Sequence, residues 1–295
     1  MILKTGHYPK QWNKSYLILL HKSGDKLDPS NYRGISLINC IAKIFSGILN
    51  NRLKEVMKDK YSNSQFGFRE NHRTSDSLFI LKAMINKYLH KNKRKLYFCF
   101  VDFKKAFDSV WRDGLLYKLA EIGIGKFLYH TIKNMLDKTQ IAIKVGNKHS
   151  EFFEIQRGVK QGDSISPTLF NIFINDLSSN FNLMGCNPPK LLNSSIGSLS
   201  FADDLLIISE SKEGLQNSVD KLNTFCENWQ LTLNVKKTKT MVVQPHNNLS
   251  LDSFIDFNGN KIQNVNEYKF LGSILKCNGD LKHSLEELST KARKV

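Results

Sequence analysis

No apolar run in this sequence approaches the ~20 residues that a membrane-spanning helix needs. The N-terminus carries Lys4 and Lys10 with no apolar core between them, so it does not read as a secretory signal peptide. Cysteine is sparse. Cys40, Cys99, Cys186, Cys226 and Cys277 are odd in number and far apart, with no Cys-x-x-Cys and no Cys/His cluster, which excludes a disulfide framework and a zinc site of the usual spacing. These absences predict a soluble intracellular protein in a reducing compartment, nucleus or cytoplasm alike. Internal repeats and low-complexity linkers are missing too, so nothing suggests a repeat array or a flexible tether. Acidic residues are the last shortage: 27 against 43 lysines and arginines, a formal net charge of +16. The imbalance is concentrated, because the first 100 residues hold 19 basic and 6 acidic side chains. A polyanion is the natural partner, although charge alone also fits an anionic membrane or a merely solvated surface.

What is present is ordinary globular material: 295 residues, 41% hydrophobic and 24% charged, enough for one large or two modest domains. Apolar residues at Ile41, Ile44, Phe45, Ile48, Leu49, Leu53, Val56 and Met57 predict an amphipathic helix over 39–58 with a basic outer face. Another helix starts at Thr74 or Ser75 and uses Leu78, Leu81 and Ile85. "LYFCFV", residues 96–101, reads as a strand buried on both faces, with Asp102 directly after it. Leu115, Leu116, Leu119 and Ile122 predict a helix closed by Gly123 and Gly125, and residues 140–155 a hairpin around Gly146 and Asn147. Ser166 reads as the N-cap of a helix with Pro167 at its first position. Leu215, Val219, Leu222, Phe225 and Trp229 mark one more helix, and "FNGNKI" an Asn-Gly turn. Strands and helices alternate without a parallel period, which favours an α+β layer of helices on an antiparallel sheet.

"FADDLLII", residues 201–208, sets Asp203 and Asp204 side by side against an apolar run. Ionised carboxylates in a dry place must be paired, protonated or bound to metal, so this stretch is either a surface hairpin tip or a metal site. Asp102, at the end of a second buried strand, favours the latter. Three such carboxylates could converge on two divalent cations, the arrangement that stabilises attacking and leaving oxygens in phosphoryl transfer, and such hard ions take oxygen ligands.

"FVDFKKAFDSV", "GVKQGDSISPTLFNIFINDL", "FADDLLII", "LTLNVKKTKTMVV" and "YKFLGSIL" resemble, in order and spacing, the palm motifs of reverse transcriptases. Residues 12–53, from "WNKSYLILL" to "NNRL", and "SQFGFRENHRTSDSLFIL" resemble the fingers motifs of the LINE-type, non-LTR retrotransposon branch. The resemblance covers roughly residues 9 to 275. It implies a right-hand polymerase with fingers over residues 1–95, palm over 96–265 with an insertion around 115–157, and a primer-grip hairpin and the start of a thumb over 266–295, the thumb largely absent. It implies RNA-directed DNA polymerase activity with two Mg²⁺ ions, Mn²⁺ being an alternative, on an RNA template, a DNA primer and deoxynucleoside triphosphates. Asp102 and Asp203 would be metal ligands with Asp204 supporting them, and Lys237 a general acid for pyrophosphate. Lys22 and Arg33, in loop-like sequence, would hold the triphosphate, although either could be a solvated surface cation. Gln161 and Gly162 would border the nucleotide, while Gly158 in the same loop could serve only a turn. Phe107 would be the steric gate against a 2′-hydroxyl, or else a core phenylalanine. Phe270, Leu271 and Gly272 would grip the primer, or else form an edge hairpin. Asp108, ahead of a helix, reads as an N-cap.

Three positions depart from the family pattern. Gly34 replaces a usual proline and should loosen a fingers loop, Phe201 replaces a frequent tyrosine, and "GDSISP" puts Asp163 beside the nucleotide loop. The family's polyproteins commonly carry an endonuclease before this region and thumb and nucleic-acid-binding segments after it, so the chain reads as a fragment or a degenerate copy of such a polyprotein, with "LEELSTKARKV" as the start of a first thumb helix. Two further readings stand beside the polymerase: a palm and fingers fragment that only binds nucleic acid, and an RNA-copying polymerase, which Phe107 disfavours.

Overall fold

The computed structural model describes residues 8–22, 24–244 and 255–283. In chain order its elements are β1 (Lys14–His21), β2 (Tyr32–Ile38), α1 (Cys40–Met57), α2 (Thr74–Ile85), β3 (Leu96–Val101), α3 (Ala106–Ser109), α4 (Arg112–Glu121), α5 (Lys126–Leu136), β4 (Gln140–Val145), β5 (Lys148–His149), β6 (Phe153–Glu154) and α6 (Ser166–Ile174). There follow β7 (Lys190–Leu191), β8 (Ser194–Ser195), β9 (Ser198–Phe201), β10 (Asp204–Ser209), α7 (Lys212–Asn228), β11 (Lys239–Val243), β12 (Ile255–Phe257), β13 (Asn260–Asn264), β14 (Glu267–Phe270), β15 (Ser273–Lys276) and β16 (Leu281–His283). The "LEELSTKARKV" stretch lies outside the described residues. Among the described residues no helix is long and apolar enough to cross a membrane. The α+β class holds, and the chain divides into two compact units that do not follow consecutive segments: residues 1–61 with 105–174, and residues 62–104 with 175–295.

In the first unit β1 runs antiparallel to β2 and parallel to β4, so the sheet reads β2-β1-β4-β5 with β6 also on β4. The helix expected over 39–58 forms as α1, capped by Asn39 Oδ1, which accepts from the backbone N–H of Ile41 (2.9 Å) and Ala42 (3.3 Å). Its buried face is Ala42, Ser46, Leu49, Leu53 and Met57. The expected stripe is therefore rotated, with Ile41, Ile44 and Ile48 left 62%, 67% and 47% exposed. A helix with apolar residues around more than half its girth does not announce which arc will be covered; here one side of that arc meets α6, where Asn50 Oδ1 accepts from Thr168 Oγ1 at 2.6 Å. Ser166 is the first residue of α6, not its cap, and Pro167 the second. Arg112 is buried and satisfied by three carbonyls, donating to Gly158 (3.0 Å), Leu136 (2.6 Å) and Ile155 (2.7 Å).

In the second unit "LYFCFV" becomes β3, the inner strand of a sheet ordered β12-β13-β11-β3-β10-β9. The sheet is antiparallel, as expected, except where β11 and β13 run parallel. Strand alternation sends Phe98, Phe100, Leu206 and Ile208 into one core with Leu78, Leu81 and Met84 of α2. α7 buries Leu215, Val219, Leu222 and Phe225, and it packs against β3 and β10. Both faces of β3 are thus covered, as an unbroken apolar run requires. The "FNGNKI" turn joins β12 to β13, with Asn258 and Gly259 both at positive φ, the geometry Asn-Gly supplies at least cost.

The rotated face of α1 is directly testable. Leu49→Ala should lower the unfolding free energy by about 2–4 kcal/mol, whereas Ile44→Ser should change it by under about 0.5 kcal/mol; urea denaturation of both variants separates the two faces.

Candidate active site

Sheet register brings the carboxylates together. β3 and β10 are antiparallel neighbours with Val101 opposite Leu205, so one step further Asp102 leaves the end of β3 as Asp204 enters β10. Asp203 stands in the two-residue turn between β9 and β10, where Phe201 pairs with Asp204. The hairpin-tip and metal-site readings of "FADD" are therefore not alternatives: the stretch is a hairpin tip, delivered to a second strand end. Asp102 is anchored through its backbone, its N–H donating to Thr238 Oγ1 (3.2 Å) and its C=O accepting from Asn234 N–H (2.7 Å). Lys237 lies in the turn that precedes β11 and is exposed.

Electrostatics follow from this crowding. Part of Asp204 reaches solvent, yet burial of the rest pushes its carboxyl up to about 6, with Asp203 and then Asp102 adding repulsion. Burial also pushes the Tyr268 hydroxyl up to about 12, again with help from Asp102 and Asp204. Tyr268 stacks on Phe100 at 4.1 Å, two residues before Asp102, which is how the β14–β15 hairpin brings a phenol near the carboxylates. Sequence reasoning missed it; its one signal is its place in "YKFLGSIL". Phe270 of that hairpin is buried in the core, and Leu271 and Gly272 form the turn, both at positive φ.

Among the described residues no three His, Cys, Asp or Glu side chains form a ready-made metal cage. The donor set still suits a small hard cation, because Mg²⁺ is held by one or two carboxylates plus waters and substrate phosphates, not by an all-protein shell. Neighbouring carboxylates, with Asp204 raised first by burial and then by Asp203 and Asp102, are the local charge that such an ion relieves.

The first unit gathers most of the residues expected to bind nucleotide around a group the sequence reading set aside. Asp108 lies inside α3, so it is not an N-cap; its Oδ1 accepts from Gln161 Nε2 at 3.1 Å. Burial raises the Asp108 carboxyl, while Gln161, Lys105, Lys22 and Arg33 act against that rise in that order. Lys22 follows β1, its N–H donating to Asn31 C=O at 2.9 Å. Arg33 is exposed on β2 and not in a loop, and Gly34 pairs with Leu19 in the same ladder, so the expected loosening has no loop to act on. Gly162 has φ +112°, and a Cβ there would stand 2.9 Å from Ser36 C=O. Gly158 is also more than a turn residue, since a Cβ would meet the Asp108 backbone at 2.7 Å. Phe107 is half-buried and stacked on Phe170, ring centroids 4.7 Å apart. Asp163, unexplained by sequence, is raised by burial, and Ser46, Lys160 and the N–H groups of Ile165 and Ser164 act against that at the entry to α6. Lys160 donates to Asn13 C=O at 3.2 Å, and burial pushes its ammonium down to about 8.

Residues 20–275 match the family described as reverse transcriptase (RNA-dependent DNA polymerase). Among curated relatives, the RNA-directed DNA polymerase from mobile element jockey of Drosophila melanogaster is 30% identical over 93% of this chain and 30% of its own length. The probable RNA-directed DNA polymerase from transposon BS of the same species is 30% identical over 80% of this chain and 26% of its own length. The chain thus spans under a third of either relative. Among solved structures, apo telomerase from Candida tropicalis truncated from its C-terminal domain shares the fold, with a TM-score of 0.64 at 16% identity over 94% of this chain and 56% of that one.

The position of Lys160 predicts a pH effect. Its native pKa of about 8 lies below the ordinary value of 10.5, so between those pH values the unfolded chain binds more protons and native stability rises with pH. Relative to Lys160→Met, the unmodified protein should gain on the order of 1 kcal/mol between pH 7.5 and 9.5, read from urea midpoints at each pH.

Proposed function

Because the chain belongs to the reverse transcriptase (RNA-dependent DNA polymerase) family, we propose that it catalyses RNA-directed DNA synthesis, extending a DNA primer on an RNA template with deoxynucleoside triphosphates. The observation that carries this reading is the register that sets Asp102 and Asp204 at facing strand ends, with Asp203 in the adjoining turn. Asp102 and Asp203 would hold Mg²⁺, two ions in all, with Mn²⁺ as a substitute and Asp204 supporting the site. Bound there, the ions would stabilise charge on the attacking and leaving oxygens at the α-phosphate. Lys22 and Arg33 would neutralise the triphosphate, a task that favours basic groups already drawn toward one anionic residue, Asp108. Gln161 and Gly162 would line the nucleotide with backbone and amide. Lys237, exposed, would return a proton to the departing pyrophosphate. Phe270, Leu271 and Gly272 would hold the primer end, their turn fixed by the burial of Phe270.

Phe107 would select the sugar. A ring held flat against Phe170 resists displacement and so excludes a 2′-hydroxyl by steric contact. The basic first 100 residues support a nucleic-acid partner, and the jockey and BS relatives are themselves named RNA-directed DNA polymerases. Five free cysteines suit action inside the cell.

Primer extension on primed RNA with Mg²⁺ tests the proposal. Deoxynucleotide incorporation should fall at least ~10²-fold in Asp203→Asn with the fold intact by circular dichroism; equal activity, or salt-sensitive template binding with no extension by the unmodified protein, would overturn it. Phe107→Ala should raise ribonucleotide use relative to deoxynucleotide use by about 10–10²-fold, measured in the same assay with either nucleotide set.

A further inference from the structure

The turn that carries Asp203 is not held by its own sequence. Ala202 sits at φ +59°, a conformation that costs an L-residue roughly 1–2 kcal/mol and that a two-residue hairpin usually gives to glycine or asparagine. What holds it comes from a segment more than a hundred residues earlier. Ser64 and Phe66 flank β9 through two backbone bonds, Ser200 N–H to Ser64 C=O and Phe66 N–H to Ser200 C=O, both 2.8 Å. Gln65, only 3% exposed, turns its amide onto the turn between them. Its Oε1 accepts from Ala202 N–H (3.1 Å) and from Gly67 N–H (2.8 Å), and its Nε2 donates to Ala202 C=O (3.3 Å). One side-chain amide thus engages the peptide units on both sides of the Ala202 Cα, and the second of those units leads directly into Asp203.

Gly67 completes the device by proximity. A Cβ at that position would stand 2.2 Å from Ala202 N and 2.9 Å from Phe201 carbonyl carbon, so the two backbones touch and only glycine fits. The residue type at 65 is equally constrained. A glutamate would keep the two accepted bonds, lose the donation to Ala202 C=O and add a carboxylate beside a site already crowded with three; a methionine would fill the space and satisfy none of the buried groups.

We infer that Gln65 is a positioning residue for the carboxylate site, its amide fixing the strained Ala202 turn so that Asp203 is presented in the orientation a divalent cation needs. It does not touch the ion; it acts through the backbone of Ala202. The role rests on Asp203 being a metal ligand, and the test separates the two claims.

Mn²⁺ binding to the full chain, followed by electron paramagnetic resonance, and hydrogen exchange at the Ala202 amide are measured for the unmodified protein, Gln65→Met and Gln65→Glu. Gln65→Met should raise the Mn²⁺ dissociation constant by about tenfold and expose the Ala202 amide to exchange. Gln65→Glu, which keeps the acceptor, should retain amide protection and fall between the two in affinity, and it carries the test if the methionine variant does not fold. Faster exchange with unchanged Mn²⁺ affinity would reduce Gln65 to a structural clamp and overturn the inference. Absence of Mn²⁺ binding in the unmodified protein would remove the metal role of Asp203, and the positioning role with it. Mn²⁺ binding that weakens as expected in a protein unable to extend a primer would reject polymerase activity and leave the inference standing.

Discussion

Three carboxylates gathered on one surface repel each other, and no local sequence preference would hold them there. The pairing of β3 with β10 does so, because strand register is a property of many residues at once: the ladder from Tyr97–Ser209 to Val101–Leu205 would have to slip as a whole to part Asp102 from Asp204. That ladder is in turn fixed by burial. Phe98, Phe100, Leu206 and Ile208 face the α2 core, and a shift of one residue would turn all four toward the opposite face. The free energy that keeps the acidic site assembled is therefore hydrophobic, spent at a distance from the charges it confines.

The same logic explains why a site can be strained where it works. Ala202, in the turn that carries Asp203, and Leu271, in the turn of the hairpin that carries Tyr268, both adopt positive φ, and neither residue favours it. Ala202 is flanked by the well-buried strands β9 and β10, and Leu271 by the buried Phe270 and, past Gly272, Ser273, so the local cost is absorbed by packed neighbours. In the first unit the corresponding organiser is Asp108, whose buried carboxyl meets Gln161 and lies within the field of Lys22 and Arg33. A single acid can hold several basic groups in readiness, and a stronger anion entering their field would compete with it for them.

Much of this was legible in the sequence. The apolar runs of β3 and β10, the periodicity of α2 and α7, and the Asn-Gly turn were read correctly because each is a local pattern with one satisfactory solution. The rotation of α1 was not, since Ile41, Ile44 and Leu49 are equally apolar and only the neighbour chooses among them. The parallel pairing of β1 with β4 joins Lys14 to Gln140, a separation over which no period can be read. Asp108 was misread for a related reason: its partner Gln161 is distant in sequence, and a helix nearby offered a simpler explanation. Gln65 stood inside a quoted motif, yet nothing about an isolated glutamine announces that both ends of its amide are occupied.

The interleaving of the two units carries a consequence for how the chain is made. Residues 62–104 emerge from the ribosome in the middle of the first unit, which stays incomplete until residue 174, and their own unit waits for residues 175–295. Pairings such as β1 with β4 and β3 with β11 span more than a hundred residues, which places this topology among slow folders. Throughout that interval "LYFCFV" is synthesised without the strands that will cover its edges, a hexapeptide of high strand propensity and no charge. The strand that confines the acidic site is thus also one that waits unpaired in the nascent chain, and the yield of folded protein should depend on how fast residues 198–243 arrive to claim it.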